Sequence, residues 1–329
     1  MIKTIVCTGD SHTWGQGGFD ISAIFPDVVG GEHRLAPFDN NDAYVNAIRR
    51  AVNKKTNSTA CDFTREKLSA LFSAPVRENC IVCENGKTVT AKVSCALFRL
   101  QLRLMAEKAT ASITVDGKKL DECCVFSENL SNPYNALPYF CDSDGEHTLS
   151  VTADGGDIMI YRLELYSGEY AVINSGIGSC PTERYMANYW EKYVTALKPY
   201  LMLIEGHTIN DWLTRQPPEK YAENLDRYFT MTEQASVKSP IFLSVAPILG
   251  TQSEPCSPYE YCKLIEQSKA VAQKHGFEIA DANAVMNERI SGMSESEAFN
   301  LLFSDNWHLN VPGNLLYAEI ALPYILKSI

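Results

Sequence analysis

The sequence predicts a chain of the α/β class: a parallel sheet covered by helices on both faces, interrupted by a stretch that is all β. Three observations predict it. A short apolar, β-branched run at residues 2–7 ends in a turn-rich segment, as a buried parallel strand does. From residue 169 onward, apolar strands alternate with helix-length amphipathic segments. Between these, from about residue 79 to 168, short alternating runs are punctuated by Asn-Gly and Asp-Gly turns, with no helical pattern among them.

The elements follow in order. IKTIVC (2–7) is the first strand and TGDSHTWGQGG its exit loop, the place where α/β proteins carry their chemistry. In DAYVNAIRRAVNKK (42–55), Ala43, Val45, Ile48 and Val52 recur near helical spacing, and TREKLSALF (64–72) predicts a second helix. TVTAKVSC, FRLQLRLM, ASITVDGKKL, HTLSVTAD and IMIYRLELY then read as strands. In ASITV, Ile113 and Val115 share one face, Ser112 and Thr114 the other, and the Asp116-Gly117 hairpin turn follows at once. The α/β pattern resumes with strand AVIN (171–174), a helix at 182–197, strand LMLIEG (201–206), a helix at 217–236, strand IFLSVAP (241–247), a helix at 258–275, strand FEIAD (277–281) and a last helix after Pro312. Residues 1–78 and 169–329 are thus expected to form one three-layer domain, and residues 79–168 an inserted β-sandwich.

Composition bounds the function. With 329 residues, 45% hydrophobic and 21% charged, the chain has the usage of a folded globular protein with a sizeable core. A formal charge of −11 without a basic patch argues against nucleic acid or an anionic membrane surface as a partner. The apolar start is too short for a signal peptide and no run approaches membrane-spanning length, so a cytoplasmic location is expected. Eleven irregularly spaced cysteines, an odd number, fit reduced thiols better than a disulfide framework. The lone pair Cys80 and Cys83 lacks the partners of a zinc set, so no metal and no cofactor is expected.

Four segments carry groups suited to acyl transfer. Gly9-Asp10-Ser11-His12-Thr13-Trp14-Gly15 places a serine on a glycine-flanked turn just past the first strand; the plainer reading makes Ser11 or Asp10 a helix cap. Ser304-Asp305-Asn306-Trp307-His308 sets a carboxylate three residues before an imidazole. In that pair a neutral histidine takes a proton while the carboxylate fixes its tautomer, although a late histidine is more often a surface or cap residue. Between them, Asn174-Ser175-Gly176-Ile177-Gly178-Ser179 and Thr208-Ile209-Asn210-Asp211 offer backbone and amide donors of the kind an oxyanion needs.

In this order the four segments resemble the four blocks of the SGNH (GDSL-type) esterase and lipase family, across both α/β stretches. The resemblance implies a flavodoxin-like three-layer α/β/α fold and ester hydrolysis through an acyl-enzyme. On matching positions it implies Ser11 as nucleophile, Asp305 and His308 as its proton relay, and Asn210 with the Ser11 N–H as oxyanion donors. The second block departs from the family's Asn-x-Gly-x-x-Gly, because Ser179 stands where the last glycine falls; Gly178 and Ser179 both remain candidates for the second backbone donor. In the third block Thr208 replaces the usual glycine, which leaves the local backbone path open.

The substrate is less legible. Trp14, Trp212 and Trp307 flank the site blocks and, with Asp10, are the candidate substrate contacts, loop packing being the alternative for each. Together with a jelly-roll-like β-sandwich resembling those attached to carbohydrate acetylesterases, they favour a short acyl ester, acetyl first, on a small molecule or oligosaccharide. A carbohydrate-binding protein without activity, or a lipase or thioesterase, are the alternatives. The β insertion has three available roles: glycan binding, a wall of the cleft, or a homodimer contact. In its loop SNPYNALPYFCDSDG, Tyr134, Tyr139 and Phe140 read as packing rather than substrate contacts.

Overall fold

The computed structural model describes residues 1–18, 41–77, 80–123, 135–249 and 257–329. Its strands are β1 (Lys3–Thr8), β2 (Thr59–Thr64), β3 (Val76–Arg77), β4 (Cys80–Cys83), β5 (Thr88–Leu104), β6 (Thr110–Val115) and β7 (Lys118–Cys123). They continue with β8 (Asn135–Asp154), β9 (Ile158–Ser167), β10 (Tyr170–Asn174), β11 (Pro199–Glu205), β12 (Ser239–Leu243) and β13 (Glu278–Ala280). Two compact units result, one from residues 1–3 and 53–171, the other from residues 4–18, 41–52 and 172–329.

The second unit is mixed α/β around a five-stranded sheet of order β10-β1-β11-β12-β13, with β1, β11, β12 and β13 in parallel register. Counting only its own strands, that order is 2-1-3-4-5, the flavodoxin-like order, whose switch point lies between the first and third strands. Consecutive residues Ile5, Val6 and Cys7 are all fully buried, as are Leu201 to Ile204, so both faces of the sheet are covered. Helix Pro218–Gln234 starts with proline in its first turn and buries Tyr221, Leu225, Tyr228 and Phe229 on one face. Helix Tyr44–Thr56 buries Val45, Ile48 and Val52, at the expected spacing.

Several details differ from expectation. The helix expected at 182–197 is broken into Thr182–Asn188, Trp190–Tyr193 and a 3-10 turn at Thr195–Leu197, because Tyr189 and Val194 leave helical geometry. Short helices Thr208–Leu213, Ala282–Ile290 and Glu295–Leu302 were not expected, although Ser294 and Glu297 form a capping box for the last of them. The final helix begins at Val311, with Asn310 capping it and Pro312 in its first turn. Among the described residues, no helix is long and apolar enough to cross a membrane.

The other unit is one antiparallel sheet of order β3-β4-β9-β5-β8-β6-β7, with β2 also paired to β9. The runs read as separate strands at 88–95 and 98–105 are one strand, β5, carrying a bulge between Cys95 and Leu97. Most of the segment read as the loop SNPYNALPYFCDSDG belongs to β8; Tyr134 lies outside the described residues, and Tyr139 is buried and stacked on Phe98 at 5.0 Å, as packing requires. Helix Arg65–Phe72 packs Leu68 and Phe72 into the core of this sheet, so it and β2 belong here and the boundary falls well before the expected 78/79. Cys80 and Cys83 are buried in β4, each thiol turned to a backbone carbonyl.

Candidate active site

The site is built at the switch point of the parallel sheet. β1 runs out into Gly9-Asp10, and the helix Ser11–Trp14 starts at once, with the Asp10 carboxylate accepting from the His12 N–H as its cap. Gly9 is required by close approach: a Cβ there would collide with Thr13 Oγ1 and with the Glu205 side chain. The second block is pinned alongside. Ser175 and Ile177 donate their N–H groups to the carbonyls of Cys7 and Gly9, and the Asn174 amide donates to the Thr13 carbonyl at 2.8 Å. Gly176 lies so close to Trp14 N that a side chain would not fit.

The last block closes back over the first. Phe303 and Leu309 bridge as a short antiparallel pair, which makes residues 304–308 a tight loop. Asp305 organises it, accepting at Oδ1 from the Trp307 N–H (2.8 Å) and the His308 N–H (2.7 Å) and facing His308 Nδ1 with Oδ2 at 2.7 Å. His308 Nε2 lies 2.9 Å from Ser11 Oγ. The carboxylate makes Nδ1 the donor, which in the neutral ring leaves Nε2 free to accept the serine proton. Burial works against the Asp305 charge, but the hydrogen bond and charge of His308 and the two N–H groups hold its carboxyl down at about 2. The structure thus brings together Ser11, Asp305 and His308, which lie 297 residues apart between the serine and the histidine.

Asn210, in helix Thr208–Leu213, donates its amide to Asp10 Oδ2 at 2.9 Å, so the third block is tied to the first. His207 takes φ 56°, the left-handed turn that starts this helix one residue before Thr208, which settles the backbone path there. Gly178 is half-buried, and Ser179 is exposed with φ 51°, a left-handed conformation that glycine adopts without strain. Three of the candidate substrate contacts are corrected. Asp10 is fully buried with both oxygens engaged, and Trp14 and Trp212 are buried, the latter donating its indole N–H to the Tyr259 carbonyl. These are scaffold. Trp307 is half-buried, its ring 5.8 Å from that of Trp212.

The sequence reading missed the buried titratable groups around the site. His12 is buried between Asp10 and the Trp307 carbonyl. Burial opposes its charge, but the hydrogen bond and charge of Asp10 outweigh that and raise it to about 9, while His12 in turn holds Asp10 at about 2. Glu205, at the end of β11, accepts the Asp10 N–H at 3.0 Å; burial and the Asp10 charge push its carboxyl well above the usual range. Burial lowers His207 to about 4 and raises Asp211 to about 7 despite two hydrogen bonds from Thr182. Strand-end position was the available signal, since each of these residues lies at or just past the end of β1 or β11. Among the described residues, no group of three or more His, Cys, Asp or Glu side chains is arranged to hold a metal ion.

No protein-family model matches this sequence, and no curated protein matches it. Among solved structures, the chain is similar to a peptidoglycan O-acetylesterase, with TM-score 0.58 and 11% identity over 99% of this chain and 91% of that one. At TM-scores of 0.48 and 0.41 it is also similar to LAE5, an alpha/beta hydrolase from the metagenome of Lake Arreo, Spain, and to an acetylxylan esterase from Geobacillus stearothermophilus. Those two share 14% and 24% identity, the first over 98% of this chain and 94% of its own, the second over 48% and 73%. The class defined is an α/β fold shared with an esterase. What the likeness shows is the fold, shared with a peptidoglycan O-acetylesterase over nearly the whole chain.

Proposed function

We propose that this protein is a serine esterase that removes short acyl groups, acetyl first, from carbohydrate. The observation that carries the reading is the line Ser11 Oγ, His308 Nε2, His308 Nδ1, Asp305 Oδ2, with contacts of 2.9 and 2.7 Å across it. His308 takes the Ser11 proton as Oγ attacks the ester carbonyl; the tetrahedral intermediate collapses, and His308 returns that proton to the departing alcohol. Water repeats the sequence on the acyl-enzyme and releases the carboxylate. Asn210 and the backbone N–H groups of Ser11 and of Gly178 or Ser179 are the proposed oxyanion donors.

The acetyl-sugar part of the reading is supported by the fold shared with a peptidoglycan O-acetylesterase and by half-buried Trp307, the residue before His308. The test is hydrolysis of p-nitrophenyl esters of increasing acyl length by wild type and Ser11→Ala, with enzyme near substrate concentration to catch the acyl burst. Serine-dependent cleavage that falls off beyond short chains is expected. Ester cleavage that survives in Ser11→Ala would falsify the assignment.

A further inference from the structure

The residue after the proposed nucleophile is unexplained by that mechanism. His12 is 2% exposed, and both of its ring nitrogens meet acceptors: Asp10 Oδ1 at 3.1 Å from Nδ1 and the Trp307 carbonyl at 2.7 Å from Nε2. A carbonyl only accepts, so Nε2 carries a proton. Asp10 already accepts the His12 N–H on Oδ1 and the Asn210 amide on Oδ2, the pattern of an ionised carboxylate, so Nδ1 carries one too. His12 is thereby an imidazolium, paired with Asp10 and buried.

Its position gives that charge a use. His12 follows Ser11 in the chain, and Trp307 precedes His308, so the His12 to Trp307 bond is a second rung one residue outside the Ser11 to His308 contact. The neutral rung between Ser11 and His308 must break and re-form in each turnover; the charge-assisted rung beside it does not. We infer that His12 is a positioning residue whose imidazolium clamps the 304–308 loop onto the nucleophile turn, holding His308 in line with Ser11. The inference rests on the esterase reading above. A misplacement of about 1 Å costs on the order of 100-fold in rate, so a clamp of this kind is read in kcat rather than in KM.

The titratable groups around His12 are Asp10 on its own turn, Glu205 from β11, and His308 on the late loop, whose ring lies 5.6 Å from that of His12 with Asp305 behind it; His207 acts on Asp10 from beyond β11. The nearest of them, Asp10, supplies the counter-charge, so the ring is expected to stay doubly protonated from pH 5 to 8.

The experiment pairs His12→Gln with His12→Asn, each compared with wild type and Ser11→Ala in burst and steady-state hydrolysis of p-nitrophenyl acetate. Glutamine keeps a donor for the Trp307 carbonyl and loses the Asp10 contact; asparagine keeps the Asp10 contact and loses the clamp. The expected result is a kcat for His12→Gln within about 5-fold of wild type and a loss of about 100-fold for His12→Asn, with KM unchanged in both. A merely structural role would make the two variants alike in kcat and different only in melting temperature, and that result overturns the inference. Ring-nitrogen NMR of the wild type from pH 5 to 8 is the second measurement and needs no variant to fold: a midpoint inside that range overturns it as well. If hydrolysis depends on Ser11 while both His12 variants turn over alike, only the clamp fails. If Ser11→Ala is as fast as wild type, the esterase reading fails and the clamp with it, and the NMR still reports whether His12 is held as an imidazolium.

Discussion

Each unit buries a charge network, and the two are built differently. On one face of the antiparallel sheet, Arg162 contacts both Glu164 (2.9 Å) and Asp62 (3.3 Å), Arg99 contacts Glu164 (3.3 Å), and Tyr166 donates to Glu164 at 2.8 Å. Its cations are guanidinium groups, which stay charged at any accessible pH. Beneath Ser11 the cation is a histidine, His12: burial opposes its charge and that of Asp10, but their mutual hydrogen bond and charge hold Asp10 at about 2 and His12 at about 9, while burial takes His207 down to about 4 and Asp211 up to about 7. Matched permanent charges hold a sheet face in one register. Buried titratable groups pushed in opposite directions beside Ser11 are what the proposed acyl transfer calls for.

The comparison is sharpened first by its most damaging substitutions. Ser11→Ala is expected to lower kcat by about 10⁴-fold or more while leaving the urea midpoint unchanged, because in the proposed mechanism Ser11 Oγ is the attacking atom, and its hydrogen bond is to His308. Arg162→Met should do the opposite. Removing one partner from a buried ion network costs about 3 to 5 kcal/mol, so the urea midpoint falls, while the acyl burst per folded molecule stays at the wild-type value. If Arg162→Met changed the burst and not the midpoint, the two networks would not be divided as described.

A smaller effect comes from pH. His12 is raised in the folded state to about 9 from an ordinary value of 6.5, so its contribution to stability is fully present below 6.5 and is lost as pH rises through 9. That loss amounts to about 3 kcal/mol for a shift of this size, order of magnitude. Asp10 is lowered, so its contribution is present above the unfolded value and disappears as pH falls toward 2. Wild type should therefore lose melting temperature between pH 7 and 9.5 more steeply than His12→Gln. Parallel slopes in the two proteins would mean that His12 carries no extra proton in the fold.

Much of this was legible in the chain. The run of buried β-branched residues before Gly9 and the strand–helix alternation after residue 169 announced the parallel sheet, because a strand covered on both faces must be apolar at every position. The block order pointed to Ser11, Asp305 and His308, which the structure brings within hydrogen-bond reach of one another. Asp62, Arg99, Arg162 and Glu164 were not legible: alternation marks a strand's faces but does not say that the polar face is also buried. Helix Arg65–Phe72 was recognised and misplaced for a related reason, since its amphipathic pattern states that one face is covered and not by which sheet. His12 was passed over because a histidine beside a glycine-flanked serine has no periodic signature; Asp10 meets one of its nitrogens locally, and only the distant 304–308 loop brings an acceptor to the other.

The smallest expected effect lies at Ser179, which holds φ 51° where the resemblance predicts glycine. A side chain in the left-handed region costs about 1 to 2 kcal/mol, and glycine returns part of that through its freer unfolded chain, so Ser179→Gly should stabilise by about 0.5 to 1 kcal/mol. Its carbonyl, which accepts from Arg184 Nη2 at 2.8 Å, keeps the turn in place in either variant. If the backbone N–H of this turn is the oxyanion donor, kcat of Ser179→Gly stays within about 2-fold of wild type, whereas Asn210→Ala, which removes a side-chain donor, loses about 10² to 10³. A large loss in Ser179→Gly would instead assign the work to the hydroxyl, and would turn the departure from glycine from a tolerated strain into the reason the serine is there.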